Sequence, residues 1–289
     1  MRYQILGLFA LASMLFGIRA VAEESALPPW LTERKVLGHN DLEPIENAAG
    51  TLIYAVSRGV ARVETIEELM AFCTAARVGD DLFITNFHCY DFKSCDQVQF
   101  HLAYEQGVAK RDQLLLRCKG VLAKNHALDY VLYQVESCGT VPGAAGLPQA
   151  ATAPCGSEQS AQTPRPPDLA SFPIATLWGG PVTVGHRVFL AGYPGSRTKE
   201  VDRGPDCILR TVQPQLIEGR QTITHTCDTE GGSSGSPLMD LATGYIVGLH
   251  WGGTDKFNMA IPMSEILVDL KAQLPADVYM QLHTAPMVP

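Results

Sequence analysis

The sequence predicts an all-β protein built as two β-rich halves and closed by one C-terminal α-helix. Three observations carry this. Short runs of β-branched and aromatic residues lie on both sides of a Gly/Ala/Pro-rich stretch, Cys138 to Pro173, which contains Pro164-Arg165-Pro166-Pro167. Turn formers such as Gly79-Asp80-Asp81, Glu105-Gln106-Gly107 and Gly192-Tyr193-Pro194-Gly195 punctuate the runs. Near the end, Pro262 to Leu274 has helical spacing, with Ile266, Leu267 and Leu270 on one face and Ser264 as N-cap. Many short strands separated by Gly and Pro turns read as sandwich or barrel, and their repetition in two halves suggests a double barrel.

The elements follow in order. Residues 1–22 read as a secretory signal: Arg2 is the positive start, Ile5 to Ile18 the apolar core, and Ala20-Val21-Ala22 a small-x-small cleavage site. The apolar run is short for a membrane anchor, so the expectation is a secreted protein, extracellular or periplasmic, with no stable membrane association after signal cleavage. Residues 23–35 are polar and end in Glu33-Arg34-Lys35, a dibasic site that suits removal of a short pro-segment; a flexible arm would carry the same residues.

Residues 36–137 form the first half, with strands expected at Thr51–Val56, Leu82–Thr85, Val98–Tyr104, Gln113–Arg117 and Tyr130–Val135. The spacing of Ile66, Leu69 and Met70 predicts a short helix over Glu64–Phe72. Residues 138–173 are the connection. The second half, 174–262, has strand candidates at Ile174–Leu177, Arg187–Ala191, Ile208–Val212, Thr222–Thr226, Ser236–Met239 and Tyr245–His250. The helix and a tail, 263–289, complete the chain.

Composition sets bounds on function. The 289 residues suffice for one large or two small domains, and a net charge of −8 offers no basic footprint for nucleic acid. The eight cysteines, Cys73, Cys89, Cys95, Cys118, Cys138, Cys155, Cys207 and Cys227, are even in number and form no Cys-x-x-Cys pair. That favours disulfides of an exported protein over zinc or redox chemistry. Nearest-neighbour pairing into four local loops is the simplest default.

Three stretches carry candidate chemistry. In Cys227-Asp228-Thr229-Glu230-Gly231-Gly232-Ser233-Ser234-Gly235-Ser236-Pro237, a glycine-flanked serine sits where a turn can expose one hydroxyl and aim N–H groups inward. A plain Gly/Ser surface turn would read the same. His88 ends the apolar run Leu82-Phe83-Ile84-Thr85-Asn86-Phe87, a place for a general base or a structural histidine. Asp129, at the lip of Tyr130-Val131-Leu132-Tyr133, is costly to bury without a donor such as a histidine N–H, or else caps a turn.

Together these residues resemble a family. The order His88…Asp129…Ser234, with the connection between the last two, is similar to the trypsin/chymotrypsin-like serine peptidases over about residues 45 to 272. The resemblance rests on Thr85-Asn86-Phe87-His88-Cys89, Leu128-Asp129-Tyr130-Val131-Leu132 and Gly232-Ser233-Ser234-Gly235-Ser236-Pro237. It implies two six-stranded antiparallel β-barrels, a Cys73–Cys89 disulfide beside the histidine, and acyl transfer without metal or organic cofactor. It assigns Ser234 as nucleophile, His88 as base, Asp129 as its orienting acid, and the N–H groups of Gly232 and Ser234 as oxyanion hole. The implied partner is a protein or peptide substrate, met by a monomer. Ser233 stands where digestive members place the acid that binds a new N-terminus, so activation by that salt bridge is not expected. An inactive homologue serving as a binding module is the competing reading, and the intact triad opposes it.

Within the family, Gly231–Pro237, Gly248-Leu249-His250-Trp251-Gly252-Gly253 followed by Phe257-Asn258, and Val36-Leu37-Gly38-His39-Asn40-Asp41 resemble the bacterial glutamyl endopeptidase branch. That likeness implies a mature chain beginning at Val36 and a substrate pocket formed by Thr229, His250, Trp251 and Gly252. Asp228 stands where trypsin-like members place the acid that selects Arg or Lys. It fits a basic pocket, a pairing with His250, or a turn cap facing away, so the sequence leaves acidic and basic specificity both open.

Overall fold

The computed structural model describes residues 34–137 and 167–286. Two short strands, β1 (Arg34–Lys35) and β2 (Glu43–Pro44), lead to helix α1 (Leu52–Ser57). Six strands follow: β3 (Val60–Thr65), β4 (Ala71–Arg77), β5 (Leu82–Thr85), β6 (Val98–Leu102), β7 (Leu114–Asn125) and β8 (Tyr130–Ser137), with helix α2 (Phe87–Phe92) after β5. They close as an antiparallel barrel in the order β3-β4-β5-β8-β7-β6.

Period-two alternation explains both faces of this barrel. Phe83 and, opposite it, Tyr133 enter a core with Val63, Phe72, Phe100, Leu116, Val131 and Val135. Their neighbours Leu82, Ile84, Tyr130 and Leu132 face the other way, into a seam shared with Phe189, Ala191, Leu249 and Ile261 of the second half. A strand buried on both faces needs apolar residues at every position, which is why Leu82-Phe83-Ile84 has no polar alternation. Each such side chain, fully buried, contributes about 1.5–3 kcal/mol.

The second half contains β9 (Val188–Gly192), β10 (Glu200–Asp202), β11 (Leu209–Ile217), β12 (Arg220–His225), β13 (Thr229–Glu230), β14 (Pro237–Asp240), β15 (Ile246–Gly253) and β16 (Asn258–Pro262). Its eight-stranded sheet runs β11-β12-β16-β15-β14-β9-β10-β2. Seven of these strands come from the second half, and β2, from the N-terminal segment, adds an eighth by pairing with β10 at one edge. The same segment adds β1 to β13, with Lys35 opposite Thr229. Helices α3 (Met263–Gln273) and α4 (Ala276–Tyr279) follow.

Several local expectations are corrected. Thr51–Val56 is not a strand: Thr51 Oγ1 accepts the Tyr54 N–H at 3.4 Å and caps α1, so the cap overrides a β-like composition. Glu64–Phe72 is not a helix but the end of β3, a turn and the start of β4. Leu69 there has φ 54° and is half exposed, and the Met70 N–H donates to Thr65 Oγ1 at 3.2 Å. Ile174–Leu177 forms no strand; only Leu177 makes isolated bridges, to Ile246 and Thr284. Helix α3 is capped at Pro262 rather than Ser264, with Ile266, Leu267 and Leu270 buried as expected. Strands β1, β2, β3, β4, β10, β13 and β16 lie outside the segments that local pattern marks as strands.

Disulfides join Cys73 to Cys89, Cys95 to Cys118 and Cys207 to Cys227, the nearest-neighbour pairs. Cys138 and Cys155, the signal at 1–22 and most of the connection lie outside the described residues.

Candidate active site

His88 sits in the first turn of α2, directly after β5 ends. The Cys73–Cys89 disulfide ties that turn back to β4, and Thr85 Oγ1 donates to the Thr74 carbonyl at 2.6 Å. Asp129 ends the β7–β8 turn, which Asn125 shapes by accepting the N–H groups of Ala127 and Leu128 at 2.9 and 3.1 Å. At φ 41°, Asp129 takes a left-handed conformation that β-branched residues avoid.

The fully buried Asp129 carboxylate grips His88 at two points. Oδ1 accepts the His88 backbone N–H at 2.9 Å, and Oδ2 lies 2.9 Å from Nδ1. A carboxylate can only accept, so Nδ1 carries the proton and the neutral ring keeps its acceptor lone pair on Nε2. The Asn86 side chain donates to the Asp129 carbonyl at 3.0 Å and fixes the same corner.

Ser234 occupies the turn between β13 and β14. Gly232 has φ 94°, and a Cβ there would lie 2.5 Å from the Tyr193 carbonyl oxygen, so this position admits only glycine. A Cβ on Gly235 would meet the Thr74 carbonyl and Thr85 Oγ1, both at 2.1 Å. The turn therefore packs its bare backbone against the strands that hold His88. Thr74, next to Cys73, is the hub: its N–H donates to the Ser234 carbonyl at 2.8 Å and its hydroxyl to the Gly232 carbonyl at 2.9 Å. Among the described residues, neither the Gly232 nor the Ser234 N–H donates to a backbone acceptor. The flank of the turn is clamped by the Gly195 N–H to the Gly231 carbonyl at 2.6 Å and by an Arg197–Glu230 ion pair at 2.7 Å.

The pocket candidates separate into two groups. His250 is buried, with Nδ1 3.2 Å from Nε2 of the fully buried His225. Burial, then the charge of nearby His88, pushes the His250 pKa down to about 3. Burial likewise holds His225 well below the ordinary histidine range, with His250 adding to the effect. Trp251 lies beneath the Arg220 guanidinium, 4.6 Å from the ring centroid, and Gly252 follows half-buried.

Asp228 is directed elsewhere. Its Oδ1 accepts the Leu37 N–H at 2.7 Å and Oδ2 the Asp41 N–H at 2.8 Å, so the carboxylate binds the N-terminal segment and makes no bond to His250. Thr229 is buried in the pairing with Lys35. The Asn258 side-chain amide donates to the Lys35 carbonyl at 3.0 Å and the Cys227 carbonyl at 2.6 Å.

Cys73, His88 and Cys89 place potential metal-ligand atoms within 4.8 Å, but both sulfurs belong to a disulfide and supply no thiolate. Thr74, His225 and Arg220 do not stand out in the sequence. Each acts through a partner far along the chain, and no local pattern marks it.

A family model described as a trypsin-like peptidase domain matches residues 73–249. No curated protein matches the chain in sequence. Among solved structures, a Glu endopeptidase in complex with MPD is similar with a TM-score of 0.54 at 14% identity, covering 85% of this chain and 100% of that one. The HtrA-type protease AlgW with a tripeptide gives 0.51 at 16% identity, covering 80% of this chain and 63% of that one. At these identities the likeness is one of fold.

Proposed function

We propose that this chain, which belongs to the trypsin-like peptidase domain family, is a secreted serine endopeptidase that cleaves after acidic residues. The observation that carries the peptidase reading is the two-point grip of Asp129 on His88, at 2.9 Å to both the backbone N–H and Nδ1. That grip leaves the His88 Nε2 lone pair to take a proton from the Ser234 hydroxyl.

Ser234 Oγ attacks the peptide carbonyl as His88 removes its proton, and the proton then passes to the leaving amine. Asp129 keeps the tautomer and stabilises the imidazolium. The N–H groups of Gly232 and Ser234 stabilise the oxyanion, each such donor being worth roughly 10²–10³ in rate. Water enters by the same route to release the acid and regenerate Ser234. Export by the leader at 1–22 and processing after Lys35 belong to the same reading.

The acidic preference rests on Asp228. With both oxygens on Leu37 and Asp41 amides, it is not available to select Arg or Lys. His250, next to Trp251 on β15 and hydrogen-bonded to His225, brings an imidazole rather than a carboxylate to this region.

A fluorophosphonate probe tests the enzyme reading. Stoichiometric labelling of the folded, processed protein, abolished by Ser234→Ala, is expected; an unlabelled wild type refutes it. Profiling a peptide library tests specificity, with cuts after Glu expected and cuts after Arg or Lys refuting the acidic pocket.

A further inference from the structure

Arg220 opens β12 just after Glu218 and Gly219, whose φ values of 49° and 79° make the tight turn of the β11–β12 hairpin. The hairpin belongs to the second half, yet Arg220 Nε lies 3.3 Å from Asp129 Oδ2 in the first. The approach is an ion pair rather than an aligned hydrogen bond. That oxygen also meets His88 Nδ1 at 2.9 Å. Stacking on Trp251, 4.6 Å from its ring centroid, fixes the guanidinium over this corner.

We propose that Arg220 is a positioning residue of the catalytic apparatus, holding Asp129 ionised and in register and setting the basicity of His88 through their shared carboxylate oxygen. This rests on the peptidase reading above. A buried carboxylate facing only a neutral imidazole has hydrogen bonds but no counter-charge. A guanidinium supplies that charge and does not titrate in the working range. The same cation opposes the imidazolium that forms when His88 takes the Ser234 proton, so it weakens the hold of His88 on that proton.

The other groups packed around the pair do not supply this charge. His250 on β15, with its pKa pushed down to about 3, and His225 behind it on β12 stay neutral across the working range. The Cys73–Cys89 disulfide does not ionise, and Asn86 reaches only the Asp129 carbonyl. Lys124 is engaged with Tyr90, 4.3 Å from its ring centroid, and the His126 ring, in the turn before Asp129, packs on Phe87 at 5.3 Å rather than on the carboxylate.

The test compares pH profiles of kcat and kcat/KM for wild type, Arg220→Met and Arg220→Lys on a soluble peptide substrate, with fluorophosphonate labelling alongside. For Arg220→Met, kcat falls about tenfold with KM within about twofold, and the acidic limb moves up by about one pH unit because imidazolium is no longer opposed. Arg220→Lys keeps the limb near its wild-type position. An active Arg220→Met with an unmoved limb overturns the proposal. So does a rise in KM alone, which would make Arg220 a substrate contact. If Arg220→Met unfolds, Arg220→Gln takes its place, and unfolding of both makes the residue structural and overturns the assignment. A wild type that neither labels nor hydrolyses removes the peptidase reading and Arg220 with it; a labelled wild type with an unmoved limb removes Arg220 alone.

Discussion

Two buried aspartates, Asp129 and Asp228, have the same hydrogen-bonding habit and opposite consequences. Each accepts one N–H on each carboxylate oxygen, at 2.9 and 2.9 Å for Asp129 and at 2.7 and 2.8 Å for Asp228. For Asp129, both donors belong to one histidine, and one of them is a ring nitrogen that titrates. For Asp228, both are main-chain amides of the N-terminal segment, which cannot titrate. The first arrangement fixes the tautomer and orientation of an imidazole, and the second ties the N-terminal segment to the residue just before β13. What a buried acid does is therefore set by whether its donors can change protonation state, not by its burial or its number of bonds.

The comparison breaks most sharply at Asp129. Asp129→Asn keeps the shape but turns one acceptor into a donor, so Nδ1 can no longer donate to it and the ring is held in the wrong tautomer. kcat is expected to fall about 10⁴-fold, with a far smaller change in melting temperature. A variant that keeps activity within tenfold of wild type would show that Asp129 is structural, like its counterpart.

Asp228→Ala should have the reverse signature. It leaves the Leu37 and Asp41 amides without acceptors in a largely buried place, and stability should drop by about 1–3 kcal/mol. Limited proteolysis should then cut the chain near residues 37–41, while the preference for the residue before the scissile bond stays as in wild type. Retained stability with altered preference would place Asp228 in the pocket.

The same contrast explains what the sequence could disclose. His88 and Asp129 stand out in the sequence as candidates because each adjoins a visible apolar run, Leu82–Ile84 and Tyr130–Tyr133, and Ser234 because glycines flank its turn. The inward residues Phe83, Val131 and Tyr133 were legible by their alternation. The direction of Asp228 was not, because Leu37 and Asp41, 191 and 187 residues away, decide it. Thr74 was hidden for the same reason, since its hydroxyl meets Gly232 across 158 residues. Thr51–Val56 failed differently: its composition suits a strand, but a single threonine cap and the packing of Ile53 favour a helical turn.

The surroundings of the two acids also titrate in opposite senses, which gives the smallest predicted effect. Near Asp228, burial raises Asp202 to about 6, so the folded state binds a proton there that the unfolded state has lost above about 4. Its contribution to stability is fully present below that value and is lost as pH rises through 6. Near Asp129, buried His225 and His250 lie below their ordinary value, so between that value and the folded pKa the unfolded state binds more protons. Their contribution is therefore lost as pH falls from about 6.5 toward 3. Relative to wild type, Asp202→Asn should gain in melting temperature as pH rises from 4 to 6.5, and His225→Gln should gain as pH falls over the same range. About 1 kcal/mol of differential stability corresponds to roughly 2–4 °C in a domain of this size. Scanning calorimetry at several pH values reads both slopes, and slopes of the same sign would mean that the two acids share one electrostatic environment rather than two.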